Sequence, residues 1–182
     1  MTTHIHKYPR TRHVRGSRLQ DGDEDLKTMP FKELIGRHVV VEEKVDGANS
    51  GISYDENWNQ HLQSRGHFLV GGGRERHFDL MKQWAATIAD PLLEALEDRY
   101  VMFGEWLYAK HTVFYDRLPH YFMEFDILDT RTETYLSTDR RRDLLNGLEI
   151  TPVLVLFEGV LDSFEQLTDL LGPSHFKSET MW

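Results

Sequence analysis

The sequence predicts an α+β fold with mainly antiparallel sheets and flanking helices. Short segments rich in β-branched and aromatic residues follow one another across polar turns, which is typical of strand hairpins. Segments with helical periodicity are interspersed among them. No internal repeat, linker or low-complexity tract divides the 182 residues, and we therefore predict a single domain over residues 1–182.

Six segments have the composition and spacing of strands. They lie at 39–44, 50–54, 58–64, 100–106, 121–128 and 150–157. An Asp46-Gly47 turn separates the first from the second, which we expect to return beside it. Alternation along the fourth strand places Phe103 and Glu105 on one face and Trp106 on the other. The same rule places Phe125 and Asp126 on opposite faces of the fifth strand.

Helical segments fill the intervals between these strands. One helical turn is predicted at 31–35, and longer helices at 74–89, 90–98, 138–146 and 163–172. Five apolar residues of the second segment share one face, which we expect in the core: Phe78, Met81, Trp84, Ala85 and Ile88. Asp90 and Pro91 have N-cap and first-turn chemistry, and Ser163 begins a capping-box sequence.

The composition excludes several classes of protein. A formal net charge of −9 argues against indiscriminate nucleic-acid binding. The absence of cysteine excludes disulfides and cysteine-based zinc sites, and it is compatible with a reducing cytoplasm, where we expect the protein. No apolar stretch has the length of a membrane span, and the N-terminus lacks the apolar segment of a secretory signal.

Residues 1–30 are predicted to form an irregular basic arm. The first twenty contain five cations and no acid: Lys7, Arg10, Arg12, Arg15 and Arg18. Such an arm is either a solvated tail or a segment that contacts nucleic-acid phosphates.

Lys44 is the candidate catalytic residue. It follows the valine strand and Glu43, and it precedes the Asp46-Gly47 turn. In a pocket that excludes water and gathers cations, a lysine amine loses its proton more readily and becomes a nucleophile. Gly47 allows the backbone to approach a bulky ligand closely. Taken alone, the Lys-x-Asp-Gly pattern also fits a surface lysine beside a hairpin turn.

Four stretches in order give this pattern a context. They are Lys44-Val45-Asp46-Gly47, Ser64-Arg65-Gly66, Phe103-Gly104-Glu105-Trp106 and Phe122-Met123-Glu124-Phe125-Asp126. The set resembles the covalent nucleotidyltransferases, which include ATP-dependent RNA and DNA ligases and mRNA capping enzymes. Its Glu-Lys-x-Asp-Gly-Ala-Asn form, followed by Ser-Arg-Gly, is most similar to the ATP-dependent RNA ligase family. The resemblance spans roughly residues 39–130, and the lead-in at 9–26 also resembles bacterial members.

The resemblance implies the fold of a nucleotidyltransferase (adenylation) domain and a role for each matching residue. Lys44 would attack the α-phosphate of ATP, while Mg²⁺ neutralises the triphosphate. AMP would then pass to the 5′-phosphate at a break in an RNA strand, and a 3′-OH would seal the break. The implied nucleotide-binding residues are Glu43, Asp46, Gly47, Arg65, Glu105 and Phe125. Glu43 would contact the adenine edge, Glu105 the ribose hydroxyls, and Phe125 the adenine face. Asp46 would orient the lysine and the water around its metal, and Arg65 would bind ribose or phosphate.

The match ends before the last motifs of the family. Those motifs are an E-G-x-x-x-K strand, whose glutamate helps bind metal, and a lysine pair that holds the α-phosphate. Glu158-Gly159 has only the opening letters, and Lys177 is the only lysine beyond position 110. We therefore expect a chain truncated at its C-terminus that adenylates itself weakly. The alternatives are a non-catalytic nucleotide- or RNA-binding remnant of a ligase, and a DNA ligase or guanylyltransferase.

Other kinds of site find less support. Gly71-Gly72-Gly73 lacks the Gly-Lys-Ser/Thr sequel of a P-loop and suggests a hinge or lid. The ten histidines show no spacing typical of zinc ligands, and we predict no metal-ligating residue in the chain.

Overall fold

The computed structural model describes residues 4–16 and 27–178. The strands are β1 (His13–Val14), β2 (Thr28–Met29), β3 (His38–Glu42), β4 (Ala48–Tyr54), β5 (Gln60–Ser64), β6 (Tyr100–Trp106), β7 (Phe122–Asp129), β8 (Thr134–Tyr135) and β9 (Val155–Val160). The helices are α1 (Asp79–Thr87), α2 (Ala89–Leu96), α3 (Thr138–Leu144) and α4 (Phe164–Thr168), with 3₁₀ helices at Phe31–Glu33 and Gly73–Phe78. The predicted class, α+β with mainly antiparallel sheets, is confirmed.

The described residues group into two compact units. The larger unit contains 4–8, 44–153 and 175–178, and the smaller contains 9–16, 27–43 and 154–174. The single domain that the sequence suggests stays a prediction. Within the described residues, no helix has both the length and the apolar sequence that a membrane span requires.

The larger unit is built on a five-stranded antiparallel sheet with the strand order β5-β4-β6-β7-β8. One face of this sheet packs on α1 and α2, because β4 and β6 direct Ile52, Met102 and Trp106 into the main hydrophobic core. The helical residues expected in the core are there, with Phe78, Met81 and Ala85 buried and Trp84 and Ile88 packed against them. The predicted alternation along β6 is therefore confirmed.

The predicted alternation along β7 is wrong. Phe103 pairs with Asp126 and Gly104 pairs with Glu124, so Phe125 is an extra residue without a partner on β6. This is a β-bulge, which disturbs the period of two. The side chains of Phe125 and Asp126 consequently reach the same neighbour, Tyr8, instead of opposite faces of the sheet.

The smaller unit contains two short sheets. β3 pairs with β9 in an antiparallel ladder that aligns Val40 with Glu158, and β1 pairs with β2 in parallel. The expected hairpin between the valine strand and the strand after Asp46-Gly47 is therefore wrong, because β3 and β4 belong to different sheets. Glu158 lies inside β9, not at the end of a strand that begins at residue 150.

Several boundaries differ from those expected. The segment predicted as one helix at 74–89 begins as the 3₁₀ helix that Gly73 opens. Asp90 lies in the first turn of α2, whose N-cap is Ile88. Ser163 caps α4 as predicted, accepting a hydrogen bond from the amide of Gln166. Of the basic arm, β1 and β2 show that 1–30 is not wholly irregular, while Arg18 and the rest of 17–26 lie outside the described residues.

Candidate active site

Lys44 lies two residues beyond the end of β3, at the start of the larger unit. Its side chain is exposed, whereas the next residue, Val45, is 4% exposed and packs in a second hydrophobic cluster. This cluster also contains Leu107, Met123, Val153 and Phe176, with Tyr115, Leu118 and Phe125 at its border. Burial of Val45 therefore fixes the backbone from which Lys44 projects.

Gly47 brings the turn after Lys44 against the end of β6. Its amide donates a hydrogen bond of 3.0 Å to Oε1 of Glu105. A Cβ at this position would lie 2.5 Å from the carbonyl oxygen of Trp106 and 2.8 Å from Cδ2 of Leu107. Only glycine allows so close an approach of two backbone segments. The turn residue thus connects Lys44 to the carboxylate of Glu105.

Glu105 is the electrostatic centre of the group. Burial raises the pKa of its carboxyl group above the ordinary value, and the charge of Asp46 adds to the rise. The Gly47 hydrogen bond and the positive charges of Lys44 and Arg65 act in the opposite direction on this pKa. Lys44, Asp46 and Arg65 therefore all lie near enough to Glu105 to act on its carboxyl group.

Arg65 reaches this group through the register of β4 and β5. Ser50 pairs with Ser64, the last residue of β5, so Arg65 follows at the level of Asn49. Asn49 in turn pairs with Glu105 on β6. The exposed Arg65, half-buried Asn49 and half-buried Glu105 therefore form one row across the sheet. Within the described part of the chain, the buried Oδ1 of Asn49 has no hydrogen-bond partner, so an acceptor is available there.

Phe125 and Asp126 meet the N-terminal segment of the chain. The hydroxyl of Tyr8 donates a 2.8 Å hydrogen bond to Oδ2 of Asp126, and its ring lies 5.0 Å from that of Phe125 and 5.3 Å from that of Phe103. Just before it, the carbonyl of His6 accepts a bond from the side chain of a buried glutamine in β5. Sequence reasoning missed Tyr8, because nothing local links it to a strand more than a hundred residues away.

Asp46 anchors a long loop that sequence reasoning also missed. The amide of Thr112 donates a 2.9 Å hydrogen bond to Oδ2 of Asp46, and the amide of Asp46 donates a 2.8 Å bond to the hydroxyl of Tyr115. Both partners come from the connection between β6 and β7. Thr112 therefore holds the carboxylate that is predicted to orient Lys44, and Tyr115 holds the backbone of the same residue, Asp46.

Glu43 is the one predicted site residue in the smaller unit. Its carboxylate accepts a 2.5 Å hydrogen bond from the hydroxyl of Ser174, and its amide donates to the carbonyl of Leu154. Its link to the other predicted residues is its place before Lys44 in the sequence. The structure thus brings together Lys44, Asp46, Gly47, Arg65 and Glu105 around one end of the sheet, with Phe125 on the neighbouring strand.

The described residues do not contain a group of three or more histidine, aspartate or glutamate side chains that could hold a metal ion. Histidines engage in ordinary contacts instead, as where Nε2 of His61 lies 3.0 Å from Oδ2 of Asp55.

The sequence profile of the family described as RNA ligase matches residues 37–180. This chain belongs to the RNA ligase family. The match begins just before the valine strand and includes Lys44, Arg65, Glu105 and Phe125. Comparison with curated protein sequences found no match.

Solved structures of RNA ligases share this fold. A ligand-free variant of a Naegleria gruberi RNA ligase has a TM-score of 0.61 at 23% identity, over 81% of this chain and 45% of its own. An archaeal ATP-dependent RNA ligase has a TM-score of 0.60 at 19% identity, over 85% of this chain and 38% of its own. A Naegleria gruberi RNA ligase variant with ATP and Mn has a TM-score of 0.53 at 20% identity, over 76% of this chain and 42% of its own. This RNA ligase family member thus spans less than half the length of the chains in these structures.

Proposed function

We propose that this chain is the adenylyltransferase part of an ATP-dependent RNA ligase and that Lys44 is its nucleophile. The observation that supports this most directly is the strand register, which places Arg65, Asn49 and Glu105 in one row, with Glu105 bonded to the Gly47 turn that follows Lys44. A structural relative of the same fold binds ATP with Mn, which agrees with ATP as the substrate.

The first step would join Lys44 to AMP. The unprotonated amine attacks the α-phosphorus of ATP, a P–N bond forms, and the bond from that phosphorus to the bridging oxygen of pyrophosphate breaks. The amine loses its proton in the process. Because Lys44 is exposed in the chain alone, we expect the bound triphosphate and its cations to supply the dry, charged environment that the attack needs.

The other predicted residues would bind the nucleotide. Glu105 and the nearby acceptor of Asn49 offer oxygens to ribose hydroxyls, and Arg65 offers a planar, permanently charged donor to phosphate or ribose. Phe125 offers an aromatic face to adenine, next to the ring of Tyr8. Glu43 stays a prediction for the adenine edge.

Magnesium would enter with ATP. Mg²⁺ commonly keeps several waters and binds through substrate phosphates plus one or two carboxylates. Asp46 fits that second role through water, because it lies beside Lys44 and its carboxylate already accepts an amide hydrogen bond. Mg²⁺ would screen the phosphate charge while the amine attacks.

Later steps would act on RNA ends. AMP would pass from Lys44 to a 5′-phosphate, and a 3′-OH would then displace AMP and close the strand, as RNA repair requires. The absence of cysteine is compatible with a reducing cytoplasm, and we retain that location as a prediction.

The first test is formation of a covalent adduct. Purified chain is incubated with ATP labelled at the α-phosphate and Mg²⁺, and the adduct is detected on a denaturing gel and located by peptide mapping. We expect label on Lys44, none in Lys44→Ala or Lys44→Arg, and normal labelling in the exposed-lysine control Lys32→Arg. Label that persists in Lys44→Arg would refute the assignment.

The same preparation separates the alternatives. Saturable ATP binding without an adduct would favour a non-catalytic remnant. Labelling with GTP in place of ATP would favour a guanylyltransferase. Sealing of nicked DNA in preference to nicked RNA would favour a DNA ligase, because only RNA offers a 2′-OH for recognition.

A further inference from the structure

We propose that the connection between β6 and β7, residues 107–121, is the surface on which the single-stranded RNA next to the reacting end stacks. We name this segment the aromatic loop. The inference rests on the proposed function, because it names where the RNA of that reaction binds. It goes beyond that function by assigning a surface that the nucleotide-binding residues do not include.

The aromatic loop exposes large aromatic side chains. Tyr108, Phe114 and Tyr121 are 52%, 47% and 43% exposed. The ring centroids of Tyr108 and Tyr121 are 5.4 Å apart, and the two rings are nearly perpendicular. Their centroids lie 6.2 and 6.0 Å from that of the buried Trp106. Exposed rings supported from beneath by a buried one offer ready π-faces for nucleobases.

The base of the loop is fixed. The amide of Leu107 donates a 2.7 Å hydrogen bond to the carbonyl of Tyr121, so the two ends of the loop are joined directly. Leu107, Tyr115 and Leu118 pack in or against the second hydrophobic cluster. Stacking surfaces that are held in place lose little conformational entropy when a base binds.

The loop is also attached to the turn that carries the nucleophile. Thr112 and Tyr115 hydrogen-bond to Asp46, two residues after Lys44. An RNA end that accepts AMP from Lys44 must bring its 5′-phosphate to this turn, and the part of the loop at Thr112 and Tyr115 borders that position. Attachment to Asp46 therefore links RNA contact to the reacting position.

The charge of the loop differs in sign from that of the whole chain. Residues 107–121 contain Lys110, Arg117 and one acid, Asp116, which gives +1 with histidine neutral, whereas the chain has −9. Lys110 and Arg117 are exposed. Asp116 accepts hydrogen bonds from the amide and hydroxyl of Ser178, which lower the pKa of its carboxyl group. Positive side chains interleaved with exposed rings suit a single nucleic-acid strand better than an acidic or apolar protein partner.

The test measures RNA affinity without requiring catalysis. Binding of a labelled single-stranded RNA of about 12 nucleotides is followed by fluorescence anisotropy, a length within the site sizes of single-strand binders. We expect Tyr108→Ala combined with Tyr121→Ala to raise the Kd by about tenfold or more. The matched pair of Tyr→Phe changes keeps the rings and should stay within about twofold. Trp58→Ala removes an equally exposed ring, 57% exposed, at the far end of β4 and should leave the Kd unchanged.

A second variant tests the charges without touching the packed rings. Lys110→Ala combined with Arg117→Ala should lower the slope of log affinity against log salt by about 1.4, because each phosphate contact to a single strand contributes about 0.7. Thermal melts of all variants by circular dichroism verify folding. Failure of the wild-type chain to bind the RNA, or equal affinity of the double Tyr→Ala variant and the wild type, would overturn the proposal.

The outcome is separable from that of the proposed function. An adduct at Lys44 in a wild-type chain that does not bind RNA would overturn the aromatic loop as the RNA surface and retain the adenylyltransferase. RNA binding that depends on Tyr108 and Tyr121, in a chain that forms no adduct, would support the surface and overturn the catalytic assignment.

Discussion

Replacing Gly47 with alanine tests whether the turn after Lys44 must lie against β6. The added Cβ would be 2.5 Å from the carbonyl oxygen of Trp106, where ordinary van der Waals contact begins at 3.4 Å. Trp106 is paired with a strand on each side, so its backbone does not yield easily. The turn must therefore move by about 0.9 Å, the difference between those two distances.

The expected cost has two parts. Forcing an extra methyl group into a packed site costs about 1–3 kcal/mol. The same movement lengthens the 3.0 Å hydrogen bond from Gly47 to Glu105, and a hydrogen bond to a charged group contributes about 1.5–3 kcal/mol. Because the two effects overlap, we expect the free energy of unfolding to fall by roughly 2–5 kcal/mol. A displacement near 1 Å at a reacting centre lowers rates on the order of 100-fold, and we expect that loss in adduct formation.

Urea unfolding followed by tryptophan fluorescence measures the first quantity, and the rate of labelling at Lys44 measures the second. The matched control is Gly73→Ala, since a Cβ there meets nothing within 4 Å. A Gly47→Ala variant whose stability stays within about 0.5 kcal/mol of wild type, the usual range for surface changes, would show that the close approach is not required.

Three further perturbations test other parts of the larger unit. Burial raises the pKa of Glu105 in the folded chain above its value in the unfolded chain. This carboxyl group therefore makes the free energy of unfolding fall as pH rises between those two pKa values. Glu105→Gln should flatten that fall in melts at a series of pH values, raise Tm at neutral pH and abolish the Lys44 adduct. Tyr8→Phe keeps its ring contacts but loses the bond to Asp126, and urea titration should show a loss of about 1–2 kcal/mol; unchanged stability would show that this bond does not stabilise the fold. Glu124 and Arg141, 2% and 4% exposed, form a 3.1 Å ion pair. Arg141→Met alone should cost about 3–5 kcal/mol, and adding Glu124→Leu should recover much of it; equal losses in both variants would contradict an unpaired-charge effect.

The parts of the fold that the sequence predicted well depend on neighbours in the chain. β6 appears with the expected bounds and faces, because alternation of Phe103 and Glu105 with Met102 and Trp106 needs only the pleat of one strand. The cap of α4 by Ser163 is equally local. Local periodicity and capping chemistry are sufficient to predict these features without any tertiary contact.

Features that depend on distant pairing were missed. The Asp46-Gly47 turn is a strong hairpin signal, yet β3 pairs with β9, more than a hundred residues later in the chain. Valines on both faces of β3 fit either partner, so composition does not choose between them. The bulge at Phe125 and the contact of Tyr8 with Asp126 have the same origin, because each is defined by residues far apart in sequence.

The candidate site depends on the core behind it through the register of the sheet. Glu105 faces the site only because Trp106 and Met102 face the core, and a slip by one residue would exchange them. Gly104, between them, has no room for a side chain, since a Cβ would lie 2.4 Å from Cζ of Phe122. Packing on the buried face of the sheet thus sets the register position of Glu105 and the direction of its side chain on the opposite face. Gly104→Ala should therefore reduce labelling at Lys44, although residue 104 does not contact the nucleotide. A change confined to the exposed end of Arg65 should instead alter nucleotide or RNA binding and leave the core intact.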